Sequence, residues 1–332
     1  MQGVKFMGLF GFSKNARIAL NMRPANRPWG GGNQWASQIA SFLGSRGYEV
    51  CYNLNAPLDC IIMADPRPEG LVSFGVEDIE NYKSRYPETP CIHRVNECDL
   101  RKGTSHVDAI LKSANGIADF TVFISDWLLH YHAEKWFDAK KPHAVIYNGA
   151  DTKIFNPLGG RVYRRGEMFR IVTHHWSDNR MKGFEDYRQL DEVIAGGSLP
   201  GVEFFVIGRW PAELKWKKAV TSPPTYGRRL AHLLRQCHAY ITASKWEPAG
   251  MHHVEGAQCG LPVIYHRDGG GIVEAARRYG ISFDGDLPAA VNAAMENYEE
   301  LRRKALDLMP SGDMMCWEYL RVIQGLVCTK KK

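Results

Sequence analysis

The chain has 332 residues, of which 45% are hydrophobic and 23% are charged, and its formal net charge is +6. This length suits two domains, and the composition is that of ordinary globular proteins. The positive excess is too small to indicate a nucleic-acid-binding protein, whereas it suits anionic small molecules or an acidic membrane surface.

Three features bear on the compartment. No run approaches the roughly 20 apolar residues that a membrane span needs, and the first residues lack the pattern of a signal peptide. The eight cysteines form no C-x-x-C pair and lie mostly in apolar runs, as is usual for reduced thiols of the cytosol. We therefore expect a cytoplasmic protein, with peripheral contact to a membrane as an open option.

The first 150 residues predict one Rossmann-like domain. Residues 1–15 are an apolar extension that either packs on the protein's own surface or contacts a partner or membrane. Strands are predicted at 17–22, 49–54, 59–64, 91–95, 120–124 and 144–147, and helices at 33–46, 76–85 and 126–137. Such alternation predicts a parallel sheet covered by helices on both faces.

The pattern restarts after residues 151–166, which are rich in proline, glycine and arginine and read as a linker. Strands are predicted at 170–173, 203–207, 239–242 and 263–265, and helices at 184–194, 228–236 and 251–259. Residues 167–312 thus predict a second Rossmann-like domain. Residues 313–332 predict a last helix that crosses back to the first domain.

A glycine run, residues 30–32, follows the first predicted strand and precedes a helix. The backbone N–H groups of Gly31 and Gly32 can approach a phosphate closely, and a helix N-terminus favours negative charge. The run is neither a G-x-G-x-x-G nor a Walker sequence, which counts against simple NAD and NTP sites. A glycine turn without a ligand remains the alternative.

Residues 243–264 carry the strongest signal for a site. Glu247 lies in a loop after a predicted strand, and Gly250 and Met251 open a helix. The positive end of that helix favours an anion. Glu255, one turn further, can accept hydrogen bonds from a vicinal diol such as a ribose; the alternative is a solvated helix carboxylate.

This segment resembles the donor-site signature of retaining GT-B glycosyltransferases of the group 1, or family 4, type. In that family two glutamates are separated by seven residues, as Glu247 and Glu255 are here. The resemblance continues through GLPV at 260–263 and the glycines at 269–271 to Glu274. Further back, it includes the interdomain segment at 145–157 and the strand at 205–210. It implies an α/β fold of two Rossmann-like domains that face each other across a cleft.

The resemblance also implies roles for donor-site residues. Glu255 would bind the donor ribose, Glu247 would face the sugar or its leaving phosphate, and amides near Gly250 and Met251 would hold the diphosphate. Lys182 matches the family lysine that neutralises the diphosphate, and Gly208 precedes the nucleotide-base pocket.

The sequence departs from the family where an arginine is expected six residues before Lys182, because Trp176 stands there. Arg180, His174 and His175 are the candidate substitutes. Since neighbouring residues on a strand point to opposite faces, the two histidines do not predict a joint metal site.

From the first domain, His93 ends a predicted apolar strand at the edge where α/β proteins bind ligands. Family members have a histidine near there that faces the donor sugar; a buried, hydrogen-bonded histidine is the alternative. Arg94, Asn96 and Glu97 follow and are candidates for contact with the acceptor.

No metal and no other cofactor is expected. Asp284 and Asp286 form a D-x-D sequence, which binds a divalent ion in the other large glycosyltransferase fold. Asp286 is better explained as the N-cap of a following helix.

The sequence therefore predicts a metal-independent, retaining glycosyltransferase. Its donor would be a UDP-, GDP- or ADP-sugar, and its acceptor a glycan, a lipid-linked molecule or a small molecule. A non-catalytic nucleotide-sugar-binding protein, a GT-B epimerase or phosphorylase, and an NAD oxidoreductase remain alternatives.

Overall fold

The structure is a computed structural model that describes residues 16–27, 29–309 and 311–329. The described residues form two α/β halves, each built around one six-stranded sheet whose strand pairs are all parallel. The expected α/β class with two Rossmann-like halves is confirmed. The extension predicted at residues 1–15 lies outside the described residues.

The first sheet has the order β2-β1-β3-β4-β5-β6. Its strands are β1 (Arg17–Leu20), β2 (Glu49–Cys51), β3 (Cys60–Met63), β4 (Cys91–Val95), β5 (Phe120–Phe123) and β6 (His143–Val145). The helices of this half are α1 (Gly31–Gly44), α2 (Val76–Arg85), α3 (Asp99–Lys102), α4 (Val107–Asn115) and α5 (Asp126–Ala133). Every residue of β3 and β4 is buried, as expected for central strands with both faces covered.

The second sheet has the order β12-β11-β10-β7-β8-β9. Its strands are β7 (Phe169–His175), β8 (Val202–Gly208), β9 (Val220–Ser222), β10 (Ala239–Thr242), β11 (Val263–His266) and β12 (Gly280–Phe283). The helices that follow are α6 (Phe184–Ala195), α7 (Gly227–Leu234), α8 (Met251–Gln258), α9 (Gly271–Ala276), α10 (Leu287–Glu296), α11 (Tyr298–Leu308) and α12 (Gly312–Thr329). The strand order reverses between β7 and β10, and in such sheets ligands bind outside the carboxyl ends of the strands at that point.

Most of the predicted elements occur in the structure with small shifts at their ends. α2, β4 and β10 begin and end where the sequence predicts them. α3, α4, β9, α9 and α11 were not predicted. α3 and α9 have four and six residues, too few to show a helical period. α4 did offer a signal, because its buried residues Val107, Leu111 and Ala114 recur at helical spacing.

The last helix belongs to the core of the first half, although it follows the second half in sequence. Its side chains Met315, Tyr319 and Ile323 are buried in the cluster that also contains Trp35. The Tyr319 and Trp35 rings are 5.4 Å apart. The chain crosses over where Gly312 N donates to Ala150 O at 2.8 Å.

The described residues include no helix that is both long and apolar enough to cross a membrane. The eight cysteines are free thiols; six are buried, Cys51 is half-buried and Cys328 is exposed.

Replacing Tyr319 by alanine should destabilise the first half, because it removes a fully buried ring. Large-to-small changes at buried aromatic positions cost about 3–5 kcal/mol. Urea unfolding of Tyr319→Ala measures this loss. Met314→Ala on the same helix is the matched control, because the exposed Met314 side chain should contribute no more than about 0.5 kcal/mol. Equal losses in the two variants would contradict the packing of α12 described here.

Candidate functional site

A cleft of about 420 Å³ lies between the two sheets, and both halves line it. Its walls come from the segments that follow the carboxyl ends of the strands. Asp65, Asn96 and Asn148 line it from the first half, and Trp176 and Gly208 from the second. The carboxyl ends of strands from both sheets therefore face one shared space.

Two helix N-termini meet in this cleft. α1 begins at Gly31 and α8 at Met251, and within the described residues neither helix has a side-chain cap. A Cβ atom placed on Gly31 would lie 2.9 Å from Met251 Cγ, so the glycine permits the two segments to approach this closely. The backbone amides and the positive helix ends together favour an anion.

The cleft also holds a charged cluster on the Glu247 carboxylate. Lys182 Nζ lies 2.7 Å from Glu247 Oε2, and Arg101 Nε lies 2.9 Å from the same oxygen. Burial alone would raise the pKa of Glu247, but the charges of Lys182 and Arg101 outweigh it and lower this pKa to about 2. Burial lowers the pKa of Lys182, and Glu247 partly offsets that effect.

Glu255 is not a solvated carboxylate, because only 3% of the residue is exposed. Its Oε2 lies 2.9 Å from His174 Nε2, and His174 Nδ1 lies 3.1 Å from the Tyr240 hydroxyl. Glu255 nevertheless lines the cleft. Its carboxylate is therefore held in a fixed position within reach of a ligand.

The comparisons with known proteins support the resemblance. Residues 181–311 match the family model of glycosyl transferases group 1. No curated protein matches the chain significantly in sequence.

Solved structures share its architecture over nearly the whole chain. A sucrose-phosphate synthase from Thermosynechococcus elongatus superposes with a TM-score of 0.68 at 14% identity, covering 95% of this chain and 100% of its own. HepE of Anabaena in complex with UDP-glucose gives 0.66 at 14%, covering 93% and 99%. WaaG, a glycosyltransferase of lipopolysaccharide biosynthesis, gives 0.62 at 12%, covering 93% and 100%.

The resemblance to group 1 glycosyltransferases of the GT-B fold is thereby confirmed.

The GT-B cleft brings together most of the residues singled out from the sequence. Besides Lys182, Glu247 and Glu255, the cleft is lined by Gly31, Gly32, Arg94, Asn96, Glu97, Gly208, Gly250 and Met251. Gly208 has a φ of +118°, and a Cβ atom there would lie 1.9 Å from His175 O. Only glycine therefore fits at the end of β8.

Two of the three predicted acceptor-side residues, Arg94 and Glu97, have partners within the protein. Arg94 is buried with its guanidinium 4.4 Å from the Trp35 ring centre, and its Nη2 donates to Asn148 Oδ1 at 3.1 Å. Glu97 forms an ion pair with Lys102 at 2.9 Å. Burial raises the pKa of Glu97, and the charge of Lys102 opposes that rise.

The structure does not place His93 at the cleft, where the sequence predicted that it would face the donor sugar. The residues that line the cleft in the described chain do not include His93, which is fully buried within β4. Its Nδ1 lies 3.2 Å from Asn115 Nδ2. Burial lowers the pKa of His93 to about 3, so the ring stays neutral.

The structure does not place Arg180 in the cleft either, where the sequence predicted a contact with the donor. The Arg180 side chain is 85% exposed and pairs with Glu213 at 2.9 Å on the surface. Arg180 and Lys182 stand at opposite ends of one 3-10 turn, and only Lys182 points inward.

Trp176 and the two histidines at the end of β7 each have partners within the protein. The centres of the Trp176 and Trp29 rings are 5.7 Å apart. The Arg209 guanidinium lies over the Trp176 ring, 4.2 Å from its centre. His174 pairs with Glu255, and His175 Nε2 lies 3.0 Å from the hydroxyl oxygens of Thr173 and Tyr187. The guanidinium that does lie beside Lys182 belongs to Arg101, which sequence reasoning missed because α3 is too short to recognise.

The D-x-D aspartates lie outside the cleft-lining set of the described residues. Asp286 Oδ1 accepts from Ala289 N at 3.0 Å and caps α10, as predicted. Asp284 pairs with Arg267. Within the described residues, no group of three or more His, Cys, Asp or Glu side chains is arranged to hold a metal ion.

The burial of His93 predicts a pH effect on stability. Between pH 6.5 and about 3 the unfolded chain binds a proton that the folded ring does not, so acid favours unfolding. His93 alone should cost about 2 kcal/mol of stability from pH 6.5 to 5, at 1.36 kcal/mol per unit. Urea unfolding of His93→Asn should show a shallower loss over this range. The exposed His106, changed to asparagine, is the control; equal slopes for both variants would refute the assignment.

Proposed function

We propose that this protein transfers a sugar from a nucleotide-sugar donor to an acceptor in the interdomain cleft. One observation carries the proposal: two helix N-termini, two buried cations and the carboxylate of Glu255 converge on a single cleft. A nucleoside diphosphate presents a doubly charged group next to a ribose diol, and this cleft offers a partner for each. The family match includes Lys182, Glu247 and Glu255.

The donor is assigned to residues by their chemistry. The ribose hydroxyls would bind Glu255, and the base would lie at the wall formed by Gly208, Thr225 and Tyr226. The diphosphate would bind the amides at the start of α8 and those of Gly31 and Gly32. Glu247 would face the sugar once its cations turn to the phosphates.

Lys182 would stabilise the leaving group. As the bond between the anomeric carbon and the phosphate oxygen breaks, negative charge grows on the nucleoside diphosphate, and a fixed cation stabilises that charge most in the transition state. Burial in a site of low dielectric strengthens the effect.

We propose retention with attack on the face that the diphosphate leaves. The acceptor oxygen would bond to the anomeric carbon, and its proton would pass to the departing phosphate oxygen. The proposed step forms no covalent enzyme intermediate. The acceptor would lie along Arg94, Asn96 and Glu97.

A panel of UDP-, GDP- and ADP-sugars tests the function and identifies the nucleotide. One donor should raise the thermal midpoint, since a ligand at a hundred times its Kd adds about 2.7 kcal/mol. Incubation of that donor with candidate acceptors should then release the nucleoside diphosphate. Binding without any turnover would favour a non-catalytic nucleotide-sugar-binding protein, and no binding across the panel would refute the proposal.

Transfer should not require a metal ion, because buried cations and helix ends already supply positive charge to the cleft. The two D-x-D aspartates are engaged elsewhere. We expect turnover in EDTA to equal turnover in buffer, and the product to keep the donor's anomeric configuration by NMR. Activity that disappears with EDTA and returns with Mn²⁺ or Mg²⁺ would contradict metal independence, and an inverted product would contradict retention.

Glu255→Gln tests the ribose contact. Hydrogen bonds to a charged group contribute roughly 1.5–3 kcal/mol, so affinity for the donor nucleotide should fall about ten- to a hundredfold. A 2′-deoxyribose nucleotide should bind the native protein weakly but lose little more in the variant, because both changes remove one shared interaction.

Calorimetric titration of both proteins with both nucleotides gives this cycle. Glu296→Gln, an exposed change on α10, is the control and should bind like the native protein. Additive losses would mean that Glu255 does not contact the ribose.

A further inference from the structure

The residue that follows β7 is not a cation, although the family resemblance predicts an arginine at that position. Trp176 occupies that position and packs against Trp29 and Arg209. Arg180, four residues later, points to solvent. If a guanidinium contacts the donor phosphates, it has to come from elsewhere in the cleft.

Arg101 of the first half is placed to provide it. Its side chain is 9% exposed and crosses the cleft to Glu247 of the second half, with Nε 2.9 Å from Glu247 Oε2. Its Nη1 donates to Asn179 Oδ1 at 3.4 Å. Arg101 thus stands beside Lys182, on the same carboxylate oxygen, although it belongs to the other half.

The short helix that carries Arg101 is firmly anchored. Asp99 Oδ1 accepts from Val107 N at 2.9 Å, and Asp99 Oδ2 accepts from Asp108 N at 3.1 Å. In return, Asp99 N donates to Asp108 Oδ1 at 2.9 Å. These bonds fix α3 to the start of α4, so the guanidinium is aimed before any ligand arrives.

The local charges favour an additional anion. The Lys and Arg side chains that line the cleft in the described chain outnumber the Asp and Glu side chains by five to four: Arg67, Arg94, Arg101, Lys102 and Lys182 against Asp65, Glu97, Glu247 and Glu255. One positive charge is therefore left over. The Glu247 carboxylate lies between Arg101 and Lys182, where a phosphate could share both donors.

We propose that Arg101 binds the donor diphosphate from the first half of the protein, so that the phosphate clamp is divided between two domains. This inference rests on the proposed function. Lys182 supplies one cation from the second half, and Arg101 supplies a planar guanidinium that can donate two parallel hydrogen bonds. Binding of the diphosphate then depends on both halves being in contact.

Titrations of Arg101→Ala with a series of nucleotides test this assignment. The series is uridine, UMP and UDP, or the corresponding guanosine or adenosine compounds if the donor panel selects that base. Affinity for the diphosphate should fall about ten- to a hundredfold, for the monophosphate by less, and for the nucleoside by less than twofold. Arg101→Lys should recover part of the lost affinity for the diphosphate, because lysine keeps the positive charge but not the two parallel N–H donors of the guanidinium.

Two further variants sharpen the result. Arg188→Ala removes a surface arginine of α6 that pairs with Glu185 and Glu192, and it should bind all three compounds normally. Arg180→Ala tests the competing residue. A loss that follows Arg180 instead of Arg101 would overturn the proposal.

The results distinguish the proposed role of Arg101 from the proposed glycosyltransferase function. A wild-type protein that binds no nucleoside diphosphate refutes the function, and the role of Arg101 with it. A wild-type protein that binds while Arg101→Ala binds equally well refutes only the role of Arg101. A loss that is equal for nucleoside and diphosphate shows that Arg101 merely holds the site together, which also overturns the proposal.

Discussion

The cleft is organised around one buried carboxylate. Glu247 accepts from a lysine of its own domain and an arginine of the other, and its backbone oxygen accepts from Gly271 N at 2.9 Å. Removing one partner of a buried ion pair commonly costs about 3–5 kcal/mol, because the remaining charge is left uncompensated. α3, the loop after β10 and the start of α9 therefore all contact this one residue, the first through its side chain and the last through its backbone.

A second carboxylate, that of Glu274, also joins the two halves. Glu274 of α9 accepts from the backbone amides of Asp126 and Trp127 at the start of α5, where the helix end is positive. Burial raises the pKa of Glu274, and its hydrogen bond from Trp127 N opposes that rise. Both cross-domain carboxylates are thus held by charge or dipole. Interfaces of this polar kind are typical of domains that move relative to each other.

The sequence predicts the second half of the site better than the first, for physical reasons. The spacing of Glu247 and Glu255 reflects one loop and one helix, so local sequence places both. The position of His93 could not be predicted, because all five residues of β4 are buried and a strand covered on both faces gives no polar alternation to show which side chain meets the cleft. The position of Arg180 could not be predicted, because Arg180 and the inward-pointing Lys182 share a single 3-10 turn and only the folded chain decides which of them is buried.

The place of Arg101 in the cleft could not be predicted from local sequence, because its partner Glu247 lies 146 positions further along the chain. The contact of Trp176 likewise crosses between the two domains. At the exit of β7 the chain has an aromatic ring in place of a cation, and that ring meets Trp29 of the first half. Arg27 lies 4.4 Å from the Trp29 ring and Arg209 lies 4.2 Å from the Trp176 ring, so two guanidinium groups flank the aromatic pair. The charges of Arg27 and Arg209 therefore lie against aromatic rings, an arrangement that stabilises a cation. The guanidinium beside Lys182 belongs instead to Arg101 of α3, in the other domain. Two contacts therefore join the halves here: the ring contact of Trp29 with Trp176 and the ion pair of Arg101 with Glu247. Both contacts form only when the two domains are close together.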